Sequence, residues 1–226
     1  MGLIVIEGLD GAGKSTQINR LYEWLSTKGR QCRMLHFPRT DSAVFGGLIA
    51  RFLRGELGDI HQASPYLVAM MYAGDRFDFK PELEKWLQLG DTVLLDRYVY
   101  SNVAYQCAKL QDEREKTALR EWILHLEFEY YALPKPDLNI FLDVPSAFTH
   151  RNLSVIRKGD DRQYLRGERD IHESSLSFQD SVRQMYLSLA DKAGLLKIDC
   201  GRQGEILPVE DIFDKIRECI NEKIKI

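Results

Sequence analysis

Eight residues, Gly8-Leu9-Asp10-Gly11-Ala12-Gly13-Lys14-Ser15, follow the spacing G-x-x-x-x-G-K-[ST]. Glycines in such a run let successive backbone N–H groups turn toward one anion, and the helix that starts there adds its positive end. Lys14 is placed to reach the β- and γ-phosphates of a nucleotide, and the Ser15 hydroxyl to hold Mg²⁺. The expected ATP-binding residues are therefore Gly8, Asp10, Gly11, Ala12, Gly13, Lys14, Ser15 and Thr16. By average residue usage, a chain of this length matches the pattern by chance in roughly one case in a hundred. The flanks strengthen the match. An apolar run at 3–6 precedes the loop, and Ile18, Leu21, Tyr22 and Leu25 follow it at helical spacing.

A second candidate is the apolar run Thr92-Val93-Leu94-Leu95-Asp96, which closes on a carboxylate. In the Walker-B arrangement Asp96 would stand beside the phosphate loop and share the Mg²⁺ with Ser15, directly or through water. A strand-end Asp by itself is more often a turn residue, so this reading leans on the loop. Arg97 comes next and would face the same phosphates.

Chemistry of this kind needs elements that bring these residues to one edge. Apolar runs at 3–6, 32–37, 92–95, 138–142 and 195–198 alternate with helical spacings. One helix is expected from Ser64-Pro65 to about residue 79, with Pro81 opening another that ends near Gly90. Alternation of this sort predicts an α/β chain with a parallel five-stranded sheet and helices on both faces; with the loop motif at its edge, the expected fold is the three-layer P-loop NTPase fold. Ligands of such sheets bind beyond the carboxyl ends of the strands. No repeat or linker interrupts residues 1–226, so one domain is expected.

The chain has 226 residues, 44% of them hydrophobic and 29% charged, with net charge −3. That suits a soluble globular protein and gives no electrostatic footprint for polymeric nucleic acid. The four cysteines and five histidines are scattered without metal-ligand or redox spacing. No apolar run reaches the ~18 residues of a membrane span. The N-terminus runs straight into a strand pattern, so a cytoplasmic protein is expected.

Several later segments resemble the thymidylate kinase family. They are Glu7 to Gln17 around the loop, Phe37-Pro38-Arg39, Asp75-Arg76-Phe77, Asp96-Arg97-Tyr98 with Ser101 and Ala104-Tyr105-Gln106, and Pro134-Lys135-Pro136-Asp137-Leu138. The resemblance spans nearly the whole chain, in order. It implies ATP-dependent phosphorylation of dTMP to dTDP with Mg²⁺, in a homodimer. It also implies roles for single residues. Asp10 would accept the 3′-hydroxyl of dTMP, and Arg39 and Arg97 would clamp its phosphate. Tyr72 would stack on thymine and Arg76 would bond its polar edge. Phe37, Ser101 and Gln106 would line the pocket, and Tyr105 would crowd the sugar's 2′ position. These residue types suit the tasks, since an Arg fork grips phosphate and an aromatic face suits a base. Away from the family, Tyr72 and Tyr105 read as core aromatics and Arg76 as a solvated helix charge.

Residues 157–170 hold five basic and four acidic side chains. Such a stretch is ordinarily a solvated loop. The resemblance makes it a lid, about 157–170, that closes over ATP. Gly11 occupies the loop position where one subtype of the family carries an arginine, so the lid must supply the transition-state cation. Arg157 and Arg162 are the leading choices, ahead of Arg166 and Arg169. With Asp10, Lys14 and Arg97 they complete the expected catalytic set. The alternatives are a kinase for another nucleoside monophosphate or a deoxynucleoside, and a P-loop nucleotide sensor.

Overall fold

The structure is a computed structural model that describes residues 2–60, 62–154, 160–168, 170–173, 175–190 and 194–223. Five parallel strands form its centre: β1 (Leu3–Glu7), β2 (Cys32–His36), β3 (Thr92–Asp96), β4 (Leu138–Asp143) and β5 (Leu196–Asp199), in the order β2-β3-β1-β4-β5. The three inner strands are buried along their whole length, as continuous apolar runs covered on both faces must be. Helix α1 (Lys14–Thr27) packs on β1, β2 and β3, and α8 (Val209–Lys223) on α1 and β5. On the other face α4 (Val99–Cys107) lies between α3 (Pro65–Gln88) and α7 (Leu176–Ala190). The expected sheet and its two helical layers are thus present.

Several local expectations change. Residues 65–88 form one helix rather than two, with Pro81 inside it. Its ring removes one backbone donor, but beyond it Leu83 is buried and Trp86 and Leu87 pack on the main core. Residues 200–206 follow β5. They enter a hairpin, β6 (Gly201–Arg202) and β7 (Glu205–Ile206), turned by Gln203 and Gly204, both at positive φ. Helix α5 (Glu113–Leu124) runs on into a π-helical turn, His125–Tyr130. There the fully buried position belongs to Glu127 rather than to the apolar Leu126.

The charged stretch is also more ordered than a solvated loop. After α6 (Ser146–Ser154), residues Asp160–Leu165 make a 3₁₀ turn. Its Leu165 joins a small second core with Ile49, Phe52 and Leu53 of α2 (Phe45–Leu53) and with Val68 and Tyr72 of α3. Arg54 Nη1 donates to the Tyr164 carbonyl at 2.5 Å and ties the turn to the end of α2.

Helix α2 in turn rests on the backbone after β2. A Cβ at Gly46 would lie 2.4 Å from the Arg39 carbonyl oxygen and 2.7 Å from the Thr40 carbonyl carbon. Because these are backbone atoms, Gly46→Ala should lower stability by about 1–3 kcal/mol through overpacking. Thermal unfolding of the variant beside wild type checks this; an unchanged melting temperature would show that α2 can move freely off the 39–40 backbone.

Candidate active site

Strands β2, β3 and β1 are neighbours in register, with His36 beside Asp96 and Ile6 beside Asp96. Their carboxyl ends therefore open together. The chain leaves β1 through the phosphate loop, leaves β3 into Arg97, and leaves β2 into Phe37-Pro38. The loop takes left-handed φ at Gly11 (73°) and Gly13 (79°), which a side chain would strain. Helix α1 begins at Lys14 with no side-chain cap and no acidic residue in its first turn, so its positive end is not offset there. Asn152 of α6 donates to the Gly11 carbonyl at 2.8 Å and braces the loop from outside. Lys14 Nζ donates to the Leu9 carbonyl at 2.8 Å. Burial lowers its ammonium to about 8; Arg97 adds to this, while Asp96, Asp10 and Glu7 oppose it.

Ser15 Oγ donates to Asp96 Oδ2 at 3.2 Å, and His36 Nδ1 lies 3.4 Å from the same oxygen. Burial pushes the Asp96 carboxyl upward, but His36, Lys14 and Arg97 outweigh it and keep the group ionised. Its second oxygen, Oδ1, is buried and has no hydrogen-bond partner among the described residues.

A second cavity adjoins the loop. Its lining includes Phe37, Tyr72, Arg76, Ser101, Tyr105 and Gln106. It shares Asp10, His36, Arg97, Tyr164 and Asp170 with the cavity around the loop. Arg97 stands at the junction. Its backbone is left-handed (φ 70°), uncommon for a side-chain-bearing residue and costing on the order of 1 kcal/mol or more. Its N–H donates to the Ile6 carbonyl at 3.0 Å. Its guanidinium reaches Asp10 Oδ1 at 2.7 Å, Tyr105 Oη at 3.1 Å and Ser101 Oγ at 3.2 Å. Asp10 also accepts from Tyr105 at 2.8 Å and from Gln179 at 3.2 Å. Burial raises the Asp10 carboxyl, yet Arg97 and Lys14 hold it well below the usual range.

Most of the expected substrate residues therefore surround one space. Tyr72 belongs at once to the second core and to the cavity wall. Arg76 is buried rather than solvated, and its Nε and Nη2 both donate to Glu127. Arg39 stands elsewhere. Its guanidinium is engaged by Asp75 (Nε to Oδ1, 3.1 Å) and Asp78 (Nη2 to Oδ2, 2.7 Å), lies 4.8 Å from the Phe79 ring, and lines neither cavity. Arg166 lines a groove against α2 rather than the loop. Arg157 and Arg169 lie outside the described residues, as does the side chain of Arg162.

Sequence reasoning missed His36, Asn102, Tyr164, Asp170 and His172 as lining residues. Asn102 carried a usable signal, because 98, 101, 102 and 105 share one helical face. Asp170 and His172 carried none, since their approach depends on how the end of the charged stretch packs against α4.

The chain matches the family model for thymidylate kinase over residues 6–211. It is 34% identical to the thymidylate kinase of Mycobacterium tuberculosis over 189 residues, 83% of this chain and 85% of that protein. It is also 34% identical to a probable thymidylate kinase of Thermococcus onnurineus over 226 residues, 98% of each chain. The chain belongs to the thymidylate kinase family. The solved structure of the Candida albicans thymidylate kinase superposes with a TM-score of 0.71 at 26% identity, covering 98% of this chain and 91% of that one. As a family member, this chain is a P-loop kinase.

The site's ionisation bears on stability. His172 packs on Phe178, Tyr105 and Phe52. Burial drops its imidazole from 6.5 to about 3; Lys109 and Arg97 add to this and Asp10 opposes it. Its contribution is full above 6.5 and drains as pH falls toward 3, because the unfolded chain takes a proton that the folded one refuses. Asp170 works in the opposite sense: burial, with Asp10 and Glu173, raises it from 3.8 to about 7. Its contribution is present below 3.8 and is lost as pH rises through 7. His172→Phe removes only the first effect. Relative to wild type, the variant should gain up to about 1.4 kcal/mol per pH unit below pH 6.5. Denaturant unfolding at pH 7.5, 5.5 and 4.5 measures this, and a difference that stays constant with pH would contradict it.

Proposed function

We propose that this chain transfers the γ-phosphate of ATP to dTMP, giving ADP and dTDP. One observation carries the reading: a phosphate loop and a ring-lined cavity open onto each other across the Arg97–Asp10 pair. The loop amides and Lys14 hold the ATP phosphates. An oxygen of the dTMP phosphate attacks the γ-phosphorus in line, and the bond from that phosphorus to the β,γ-bridging oxygen breaks. No covalent enzyme intermediate forms. Arg97 sits where the acceptor phosphate meets the γ-phosphate and neutralises charge there. Asp10, kept ionised, accepts the sugar 3′-hydroxyl, while Tyr105 narrows the space beside it. Tyr72 and Phe37 flank the base, with Arg76, Ser101 and Gln106 along its edge.

The orphaned Asp96 Oδ1 and the Ser15 hydroxyl beside Oδ2 suit a hard cation with oxygen ligands. These two residues would hold Mg²⁺, which when bound offsets phosphate charge. With Gly11 in the loop, the remaining cation falls to the lid, with Arg157 and Arg162 the choices. Arg39, now bound by the α3 carboxylates, reaches the acceptor phosphate only by leaving them.

The chain acts as one domain in the cytoplasm and as a homodimer. Among the described residues no helix is long and apolar enough to cross a membrane. Leu67, Met70 and Phe77 make an exposed stripe on α3, and Val44 and Leu48 are exposed at α2. That apolar band suits a second copy.

Purified protein with ATP and Mg²⁺ should phosphorylate dTMP far faster than dCMP, AMP or UMP, and chelating the metal should stop turnover. Equal rates on all four acceptors would count against the assignment. Lys14→Ala should lower kcat by about 10²–10³-fold with the melting temperature nearly unchanged. Preserved turnover would remove Lys14 from the mechanism.

A further inference from the structure

Behind the base-binding cavity lies a fully buried carboxylate that no phosphate chemistry explains. Glu127 sits on the π-helical turn His125–Tyr130 and is 0% exposed. Turns of this kind are rare and frequently mark functional sites. Glu127 makes two sets of bonds. It takes Nε and Nη2 of Arg76, the latter at 2.7 Å, and its Oε1 also accepts from Asn102 Nδ2 at 2.8 Å. Asn102 Nδ2 spends its other proton on the Ala69 carbonyl at 3.0 Å. Both donors of that amide are therefore consumed away from the cavity. Its Oδ1 is buried without a partner among the described residues, and Asn102 lines the cavity.

We infer that Glu127 is a specificity-determining positioning residue, which fixes the polarity of the edge that reads the base. Turning the Asn102 amide over would set its oxygen against a carboxylate and a carbonyl, leaving two acceptors face to face in a dry site. The amide is thereby locked with its acceptor toward the cavity. The bidentate hold on Arg76 leaves Nη1 as the guanidinium nitrogen available to a ligand. At these two residues the cavity wall then offers one donor and one acceptor. That pair complements an imide edge, a ring N–H beside a carbonyl. It opposes the edge of cytosine, which carries an unprotonated ring nitrogen beside an amino group. Discrimination between these edges leaves a buried group unpaired in the wrong complex, which is the costly kind of mismatch.

The inference rests on the reading of this cavity as the dTMP site, and the test separates the two. Glu127→Gln replaces the obligate acceptor with an amide that can also donate, so Asn102 is free to turn. The KM for dTMP should rise about tenfold, roughly the worth of one charge-assisted hydrogen bond. The KM for ATP should hold and kcat should stay within about twofold. The preference for dTMP over dCMP in kcat/KM should narrow by a similar factor. Glu127→Asp keeps the charge that Arg76 needs but is one methylene short of Asn102. It should give an intermediate preference, and it serves as the readout if the Gln variant does not fold. An unchanged dTMP/dCMP ratio in the folded variants overturns the inference, as does a parallel rise in both KM values. Wild-type enzyme that ignores dTMP would instead overturn the assignment of the cavity.

Discussion

Arg97 joins the two halves of the site, and much of the polar interior is arranged to keep its charge buried. A guanidinium this enclosed is tolerable only when its donors are met, since an unpaired buried charge costs several kcal/mol. Asp10 answers it from the phosphate loop, Tyr105 and Ser101 from α4. Behind Ser101 lies Glu7, fully buried, which accepts from the Tyr98 backbone N–H at 3.0 Å and from Tyr186 at 3.1 Å. This network ties β1, the start of α4 and the middle of α7 to one residue at the end of β3. The left-handed backbone at Arg97 is the local strain that lets the chain turn from strand to helix with its side chain facing the junction.

The same economy of buried charge recurs along the second cavity. Arg76 and Glu127 neutralise one another away from water, and Asn102 shares the carboxylate. Pairing of that sort adds little net stability over an apolar core, because both ions lose their hydration. What it provides is orientation: each donor and acceptor has one arrangement that leaves none opposed. A cavity that must tell one flat ring from another gains from such rigidity, whereas the phosphate loop needs only amides and positive charge.

The charged stretch after α6 follows different physics. Its described part includes buried Leu165, the Tyr164 carbonyl that accepts from the Arg54 side chain, and the Tyr164 hydroxyl that donates to Asp170 at 3.2 Å. Its packing against α2 also couples it to the 39–40 backbone, on which Gly46 rests.

Much of this protein was legible in its residues alone. The phosphate loop, the strand ending in Asp96 and the five-stranded sheet follow from short-range rules of glycine φ, helix ends and apolar periodicity, which act within about ten residues. The helical face 98, 101, 102, 105 could be read in the same way. Tertiary structure decided the rest. Whether Arg39 meets a phosphate or the carboxylates of Asp75 and Asp78, and whether Arg76 is solvated or buried, depends on partners on other elements. Glu127 reads as a surface charge until Arg76 and Asn102, 51 and 25 residues away in the chain, close on it. Charges are long-ranged and their cost depends on burial, so their places are settled only when the layers pack.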